Sequence, residues 1–111
     1  PGDLLVLLQA IALHKAASAS SCDDMIAILS EQHYRDKIPA GLPANIRVAH
    51  KTGSITAINH DAGLVMLPDG RRYLLVVLTK GIPDQKRSND IIAHISRLVY
   101  EQVITSTQGK P

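Results

Sequence analysis

The sequence has few aromatic side chains and almost no cysteine. It contains no phenylalanine or tryptophan, three tyrosines and one cysteine among 111 residues. Twelve Lys and Arg are spread along the chain against ten Asp and Glu. Without a basic block or aromatic rings to stack on bases, nucleic acid is not expected as a partner. Cys22 cannot form an internal disulfide, and Asp23 and Asp24 beside it disfavour a reactive thiolate, so we expect a buried or partly buried structural cysteine.

Long hydrophobic runs are also absent. The most apolar stretch, residues 4–13, is interrupted by Gln9 and is much shorter than the roughly 20 residues that cross a bilayer. We therefore expect no membrane span. The chain opens without Met and without a basic flank before this stretch, which favours a piece of a longer protein over a secretory signal.

The histidines and carboxylates lack the spacing of a metal site. His50, His60 and Asp61 are candidate ligands, but a dedicated site needs three or four convergent ligands, and the sequence shows no diagnostic pattern. We expect neither a metal nor a cofactor. We expect His50 to be hydrogen-bonded within the fold, and His60 and Asp61 to make a hydrogen bond at the start of a strand.

The residues that are present are largely aliphatic and strongly periodic. At 45% hydrophobic, the chain can bury the core of one domain over residues 1–111. Helical spacing predicts a hairpin of two helices over residues 3–34, with Asp3 capping the first and Ser21 the second. Prolines then predict a connecting loop over residues 35–45.

Strands are predicted over residues 46–80. Alternation of apolar and polar side chains in residues 46–50 predicts one strand, and a proline-glycine turn at residues 68–71 predicts a hairpin of two more. The run at residues 74–78 is apolar throughout. Such a run is typical of a strand covered on both faces, which this chain provides only in part.

The chain is predicted to end in a helix. An apolar stripe over residues 85–104 follows Asp84 or Ser88 as its cap, and residues 105–111 are expected to fray. The order of elements predicts an α+β fold, in which an antiparallel sheet of three strands packs against helices.

The most informative pattern is Lys51-Thr52-Gly53, which follows the first predicted strand. K-T-G is one of three elements of the active-site serine β-lactamases and penicillin-binding proteins, together with S-x-x-K and S-D-N. Four segments of this chain, in this order and spacing, resemble the C-terminal part of class A β-lactamase-like serine hydrolases: residues 38–43, 48–53, 60–63 and 67–71. The resemblance implies a partial β-lactamase or transpeptidase fold.

The resemblance also implies a role for each residue of the motif. Lys51 would attract the carboxylate of a β-lactam or of a peptidoglycan stem peptide, and the hydroxyl of Thr52 would donate a hydrogen bond to that carboxylate. Gly53, without a Cβ, would let the acyl substrate lie close to the strand. The backbone N–H of Ser54 would be one of two oxyanion-hole donors in an acyl-transfer reaction.

Other elements of that chemistry are missing from this sequence. It contains no S-x-x-K, no E-x-x-L-N, and no S-D-N, since residues 88–90 read S-N-D. The nucleophile would come from a missing N-terminal portion of the same domain, and this chain alone would be inactive. A D,D-peptidase fragment and a non-catalytic module that binds peptide or cell-wall material stay open as alternatives. The resemblance implies a periplasmic or extracellular location.

Overall fold

A computed structural model of the chain describes residues 1–108. Two helices come first, followed by a short 3-10 turn, three strands and a long helix. Their bounds are α1 Gly2–Ala12, α2 Ala19–Ser30, the turn Pro39–Gly41, β1 Arg47–Ile55, β2 Ile58–Met66, β3 Arg72–Lys80 and α3 Gln85–Gln108. The predicted α+β fold with a three-stranded antiparallel sheet is confirmed.

Both predicted caps of the helical hairpin are wrong. Pro1 occupies the cap position of α1, so Asp3 lies inside the first turn and caps nothing. Ser18 caps α2, because its backbone is extended and its Oγ accepts a hydrogen bond from Ser21 N at 3.1 Å. We predicted that the side chain of Ser21 would be the cap, but Ser21 instead donates its backbone N–H to the cap. An N-cap oxygen accepts from a residue two or three positions farther along the chain.

The sheet is antiparallel, in the order β1–β2–β3. β1 and β2 are joined by a two-residue turn, with Lys51 opposite Ala62 and Gly53 opposite His60. β2 and β3 are joined by the predicted turn, in which Gly70 has a φ of +91° that a side chain would strain. β1 and β3 are the edge strands within residues 1–108.

The sheet is covered by helices on both faces. Its main core lies against α3 and joins these buried residues: Ile38, Ile46, Val48, Val65, Leu67, Val77 and Ile92. A smaller cluster lies against α1 and α2 and centres on Ile26, Ala49 and Leu64. Alternation along each strand therefore sends side chains into two different cores.

The last helix is longer than predicted. Of the two candidate caps, Asp84 is used, since its Oδ1 accepts from Arg87 N at 3.3 Å, whereas Ser88 lies buried inside the helix. Residues 105–108, which we expected to fray, continue α3 to Gln108. The rest of that expected tail, residues 109–111, lies outside the described residues.

Several large apolar side chains remain exposed. On α1 none of the residues is fully buried, and Leu5, Val6 and Leu7 are exposed. Leu78 of β3, from the run predicted to be covered on both faces, is 44% exposed.

Cys22 is completely buried and unpaired, as predicted. None of the helices described in residues 1–108 has the length and apolarity needed to cross a bilayer.

Candidate functional site

The motif Lys51-Thr52-Gly53 lies in the middle of β1, on an edge of the sheet. The direction of its backbone groups follows from one buried ammonium. Lys37 Nζ lies 3.5 Å from Gly53 O and 3.2 Å from His60 O. One atom can reach both oxygens only if Gly53 and His60, which lie opposite each other, both turn their carbonyls into the space between β1 and β2.

This orientation places the N–H of Ser54 on the open side of the strand. In a trans peptide the C=O and the following N–H point in opposite directions. Since Gly53 O points toward β2, Ser54 N–H points away from β2, toward the free edge of β1. The family resemblance implies that Ser54 N–H is an oxyanion donor, and such a donor must be free of the sheet's own hydrogen bonds.

The ammonium of Lys51 lies on the same edge. Lys51 is exposed, and its Nζ donates a hydrogen bond to Thr52 O. Carbonyls of successive strand residues point to opposite sides, so Thr52 O points outward where Gly53 O points inward. The cation of Lys51 and the uncommitted N–H of Ser54 therefore lie three residues apart along one exposed strand edge.

The edge forms one wall of a groove of about 380 Å³. Its other walls come from the connecting loop and from the first residue of α3. It is lined by Tyr34, Asp36, Lys37, Lys51, Thr52, Ser54 and Gln85. Gln85 Nε2 donates to Ser54 Oγ at 3.3 Å, which ties the start of α3 to the strand. Lys51, Thr52 and Ser54, which the sequence singled out, share this groove.

A hydrogen-bond network, buried except at Asp36, holds the far wall of the groove. Asn59 Nδ2, on β2, donates to Ser88 Oγ and to Asn89 Oδ1, each at 2.7 Å. Asn89 Nδ2 in turn donates to Asp36 Oδ2 at 2.9 Å. The network joins β2, α3 and the connecting loop, so the loop keeps a fixed position beside the motif.

Gly53 lies between two residues that line the groove, Thr52 and Ser54, but its missing Cβ has a different neighbour from the substrate that we expected. A Cβ built there would lie 2.4 Å from His60 Nε2 and 2.5 Å from His60 Cε1. The imidazole of the opposite residue therefore fills the space above Gly53. We expected the missing Cβ to leave room for a substrate. Only the register of β1 and β2 shows that His60 lies opposite Gly53.

His50 and Asp61 form a buried pair behind the site. His50 Nδ1 donates to Asp61 Oδ1 at 3.0 Å, and Asp61 Oδ2 accepts from Ile38 N at 3.0 Å. The prediction that His50 is hydrogen-bonded within the fold is confirmed. The predicted strand-start bond is wrong, because His60 and Asp61 lie inside β2 and Asp61 instead holds the connecting loop. Residues 1–108 bring together no group of three metal-ligating side chains.

Sequence reasoning missed Lys37. It is only 3% exposed, although residues 33–36, which precede it in the loop, are all exposed. Burial lowers the pKa of its ammonium below the usual value of 10.5, while Asp61 and Asp36 act in the opposite direction. No local pattern marks a buried lysine, since its partners lie 16 and 23 residues away along the chain.

Comparison with known proteins gives a consistent picture. A family model described as the beta-lactamase enzyme family matches residues 1–103. A beta-lactamase from Bacteroides uniformis is 40% identical over 74 aligned positions, and the match covers 60% of this chain and 25% of that protein. This chain thus spans about a quarter of the curated relatives that it matches.

Solved structures match nearly the whole chain. The structure of PBP-A has a TM-score of 0.88 and 32% identity, over 95% of this chain and 40% of that one. A beta-lactamase from Sphaerobacter thermophilus has a TM-score of 0.85 and 31% identity, over 100% of this chain and 41% of that one. An L158E mutant of PBP-A has been solved as an acyl-enzyme complex with penicillin G.

Proposed function

Because this chain belongs to the beta-lactamase enzyme family, we propose that it is the C-terminal part of a class A β-lactamase-like serine hydrolase that opens β-lactams through an acyl-enzyme. The groove along the free edge of β1 carries this proposal. There Lys51, Thr52 and the N–H of Ser54 lie together, in the order that a substrate carboxylate and a neighbouring carbonyl require.

Lys51 and Thr52 bind the substrate's anionic end. The ammonium of Lys51 is exposed, and within residues 1–108 it is held only by Thr52 O, so a carboxylate can take its hydrogen bonds at little cost to the fold. Thr52, half-buried in the same groove, adds its hydroxyl. With the carboxylate held there, the lactam carbonyl lies farther along the strand, near Ser54.

Ser54 N–H stabilises the charge that develops during acyl transfer. A serine hydroxyl attacks the lactam carbonyl, the C–N bond of the ring breaks, and the ring nitrogen takes up the proton; water then releases the acyl group. The carbonyl oxygen becomes negative in each tetrahedral intermediate. A fixed N–H at the strand edge can donate a hydrogen bond to that oxyanion without having to reorient.

The serine and its second oxyanion donor come from outside this chain. The sequence lacks S-x-x-K and S-D-N, and the chain covers about 40% of its structural neighbours. We propose that the rest of the same domain packs on the exposed apolar side chains of α1 and β3, notably Leu7 and Leu78. We further propose a periplasmic or extracellular location, where the β-lactam or peptidoglycan-type substrate is met.

A penicillin-binding D,D-peptidase is the second candidate, favoured by the similarity to PBP-A. Both candidates share acylation and differ in how fast water releases the acyl group. A non-catalytic binding module shares neither step.

The product of the whole gene, incubated with a fluorescent penicillin, tests the proposal. We expect covalent labelling, followed by rapid loss of label for a β-lactamase or by persistent label for a peptidase. Lys51→Ala should lower the acylation rate constant about 10- to 100-fold, since hydrogen bonds to charged groups contribute about 1.5–3 kcal/mol. Its free energy of unfolding should change by less than about 0.5 kcal/mol, because the side chain is exposed.

Lys80→Ala is the matched control, since Lys80 is an exposed lysine at the end of another strand of the sheet. It should leave labelling unchanged. A wild-type protein that is never labelled refutes the enzyme proposal and favours the binding module. Normal labelling of Lys51→Ala would show that Lys51 does not bind the substrate.

A further inference from the structure

Lys37 places a positive charge inside the fold, directly behind the candidate site. Lysine is rarely buried unless it is paired, yet this side chain is 3% exposed. Its Nζ lies 3.2 Å from His60 O and 3.5 Å from Gly53 O. No carboxylate among the described residues accepts a direct hydrogen bond from it, so the two strand carbonyls are its immediate partners.

Charged groups on three elements surround this ammonium. Asp61 on β2 and Asp36 on the connecting loop raise its pKa, Lys51 on β1 lowers it, and burial, the largest effect, lowers it further. The two carboxylates oppose the cost of burial only in part, so the pKa of this ammonium stays below that of an exposed lysine.

The carbonyl that Lys37 contacts belongs to the peptide group that carries Ser54 N–H. Electrons in a peptide are delocalised over oxygen, carbon and nitrogen, so a cation at the oxygen draws density from the nitrogen and makes the N–H a stronger donor. Hydrogen bonds strengthen one another in this way by roughly 10–30% per bond. The effect is largest where water is excluded, as it is around Lys37.

We propose that Lys37 is a positioning residue that polarises the Gly53–Ser54 peptide and so strengthens Ser54 N–H as an oxyanion donor. The inference rests on the proposed acyl-transfer function. Lys37 lines the groove beside Lys51 and Thr52, but its side chain is almost fully buried. Its ammonium donates to carbonyls on the inner side of β1, whereas Ser54 N–H points to the outer side. The charge therefore acts on this N–H through the peptide group.

The test compares the intact gene product with Lys37→Met, which keeps the length of the side chain but not its charge, and with Lys37→Arg, which keeps the charge. Lys86→Met, at an exposed lysine on α3, is the control. The first measurement is the carbonyl ¹³C shift of Gly53 and the ¹⁵N shift of Ser54, by carbon-detected NMR, which is insensitive to amide exchange at alkaline pH. The second is the penicillin acylation reaction, resolved into a limiting rate constant and a binding constant.

We expect Lys37→Met to move both shifts and Lys37→Arg to restore most of the change. In the wild type the same shifts should move with pH as Lys37 titrates, below the pH at which exposed lysines do. Removing a whole oxyanion donor costs about 100- to 1000-fold, so weakening one should lower the limiting acylation rate constant about 10-fold in Lys37→Met. The binding constant should stay within about 3-fold, because the ground-state carbonyl carries little charge.

Each alternative result has a distinct meaning. Shifts at Gly53 and Ser54 that are the same in the wild type and in Lys37→Met overturn the inference, whatever the acylation rate. A lowered rate that Lys37→Arg does not restore shows a merely structural brace and overturns it too. If Lys37→Met does not fold, the pH dependence of the wild-type shifts decides alone. A wild type that no penicillin labels refutes the proposed function, and the NMR shifts still decide whether Lys37 polarises the peptide.

Discussion

Replacing Asp61 with alanine should lower the free energy of unfolding far more than replacing an exposed aspartate would. Asp61 is fully buried, with one oxygen accepting from His50 Nδ1 and the other from Ile38 N. Alanine leaves both donors without a partner inside the fold. The imidazole would lose its last hydrogen bond among the described residues, since His50 Nε2 already lacks a partner there.

The magnitude follows from these two donors. Each buried donor left unpaired costs about 1–3 kcal/mol, so Asp61→Ala should lose about 2–6 kcal/mol of the free energy of unfolding. Domains are typically stable by about 5–15 kcal/mol, so the loss is a large fraction of the total. Asp61→Asn should lose only about 1 kcal/mol. Its amide oxygen can still accept from Ile38 N, and its NH₂ can donate to His50 once the ring takes the other tautomer.

Urea unfolding, followed by circular dichroism, measures these differences. With a slope of about 1–3 kcal/mol per molar urea, Asp61→Ala should lower the midpoint by about 2 M. Asp23→Ala is the control, because Asp23 pairs with His14 on the exposed surface and its loss should cost less than about 1 kcal/mol. Equal midpoints for Asp61→Ala and Asp23→Ala would refute the reasoning that Asp61 holds the connecting loop to the sheet.

Three further predictions concern packing and pH. Gly41→Ala should destabilise by about 1–3 kcal/mol or more, measured by urea unfolding, since its Cβ would lie 2.0 Å from Ala93 O and would force the 3-10 turn away from α3. Gly53→Ala should destabilise and slow acylation, and adding His60→Ala should recover stability, because the new Cβ collides with that imidazole. Burial raises the pKa of Tyr73 to about 12, so stability should fall as pH rises from about 10 to about 12, and Tyr73→Phe should remove that loss.

Matched variants make these outcomes decisive. Gly2→Ala controls the first, since a Cβ there meets nothing within 4 Å; equal effects at Gly2 and Gly41 would contradict the packing argument. For the second, additive losses in the double variant would show that His60 is not the obstacle. For the third, the sign follows from proton binding: the folded Tyr73 holds its proton where the unfolded one loses it. An alkaline loss that persists in Tyr73→Phe belongs to other groups.

Much of the architecture was predictable because it depends on local chemistry. Alternation in residues 46–50 and the proline-glycine turn at residues 68–71 predicted strands that the structure contains. The long apolar stripe of α3 was equally clear, but the helix ends were not. The cap of α2 was misassigned by three residues, because several serines stand in a row and each could serve as the cap.

The sequence by itself determined the α+β fold, and the order of its motifs indicated the family, because periodicity and motif spacing are properties of neighbouring residues. Only the tertiary structure decided that His60 covers Gly53, that Ser54 N–H faces the open edge of β1, and that Lys37 lies buried behind it. These features depend on strand register and on a loop folding back over residues far along the chain. No local pattern encodes such distances, since each contact is set by the whole fold.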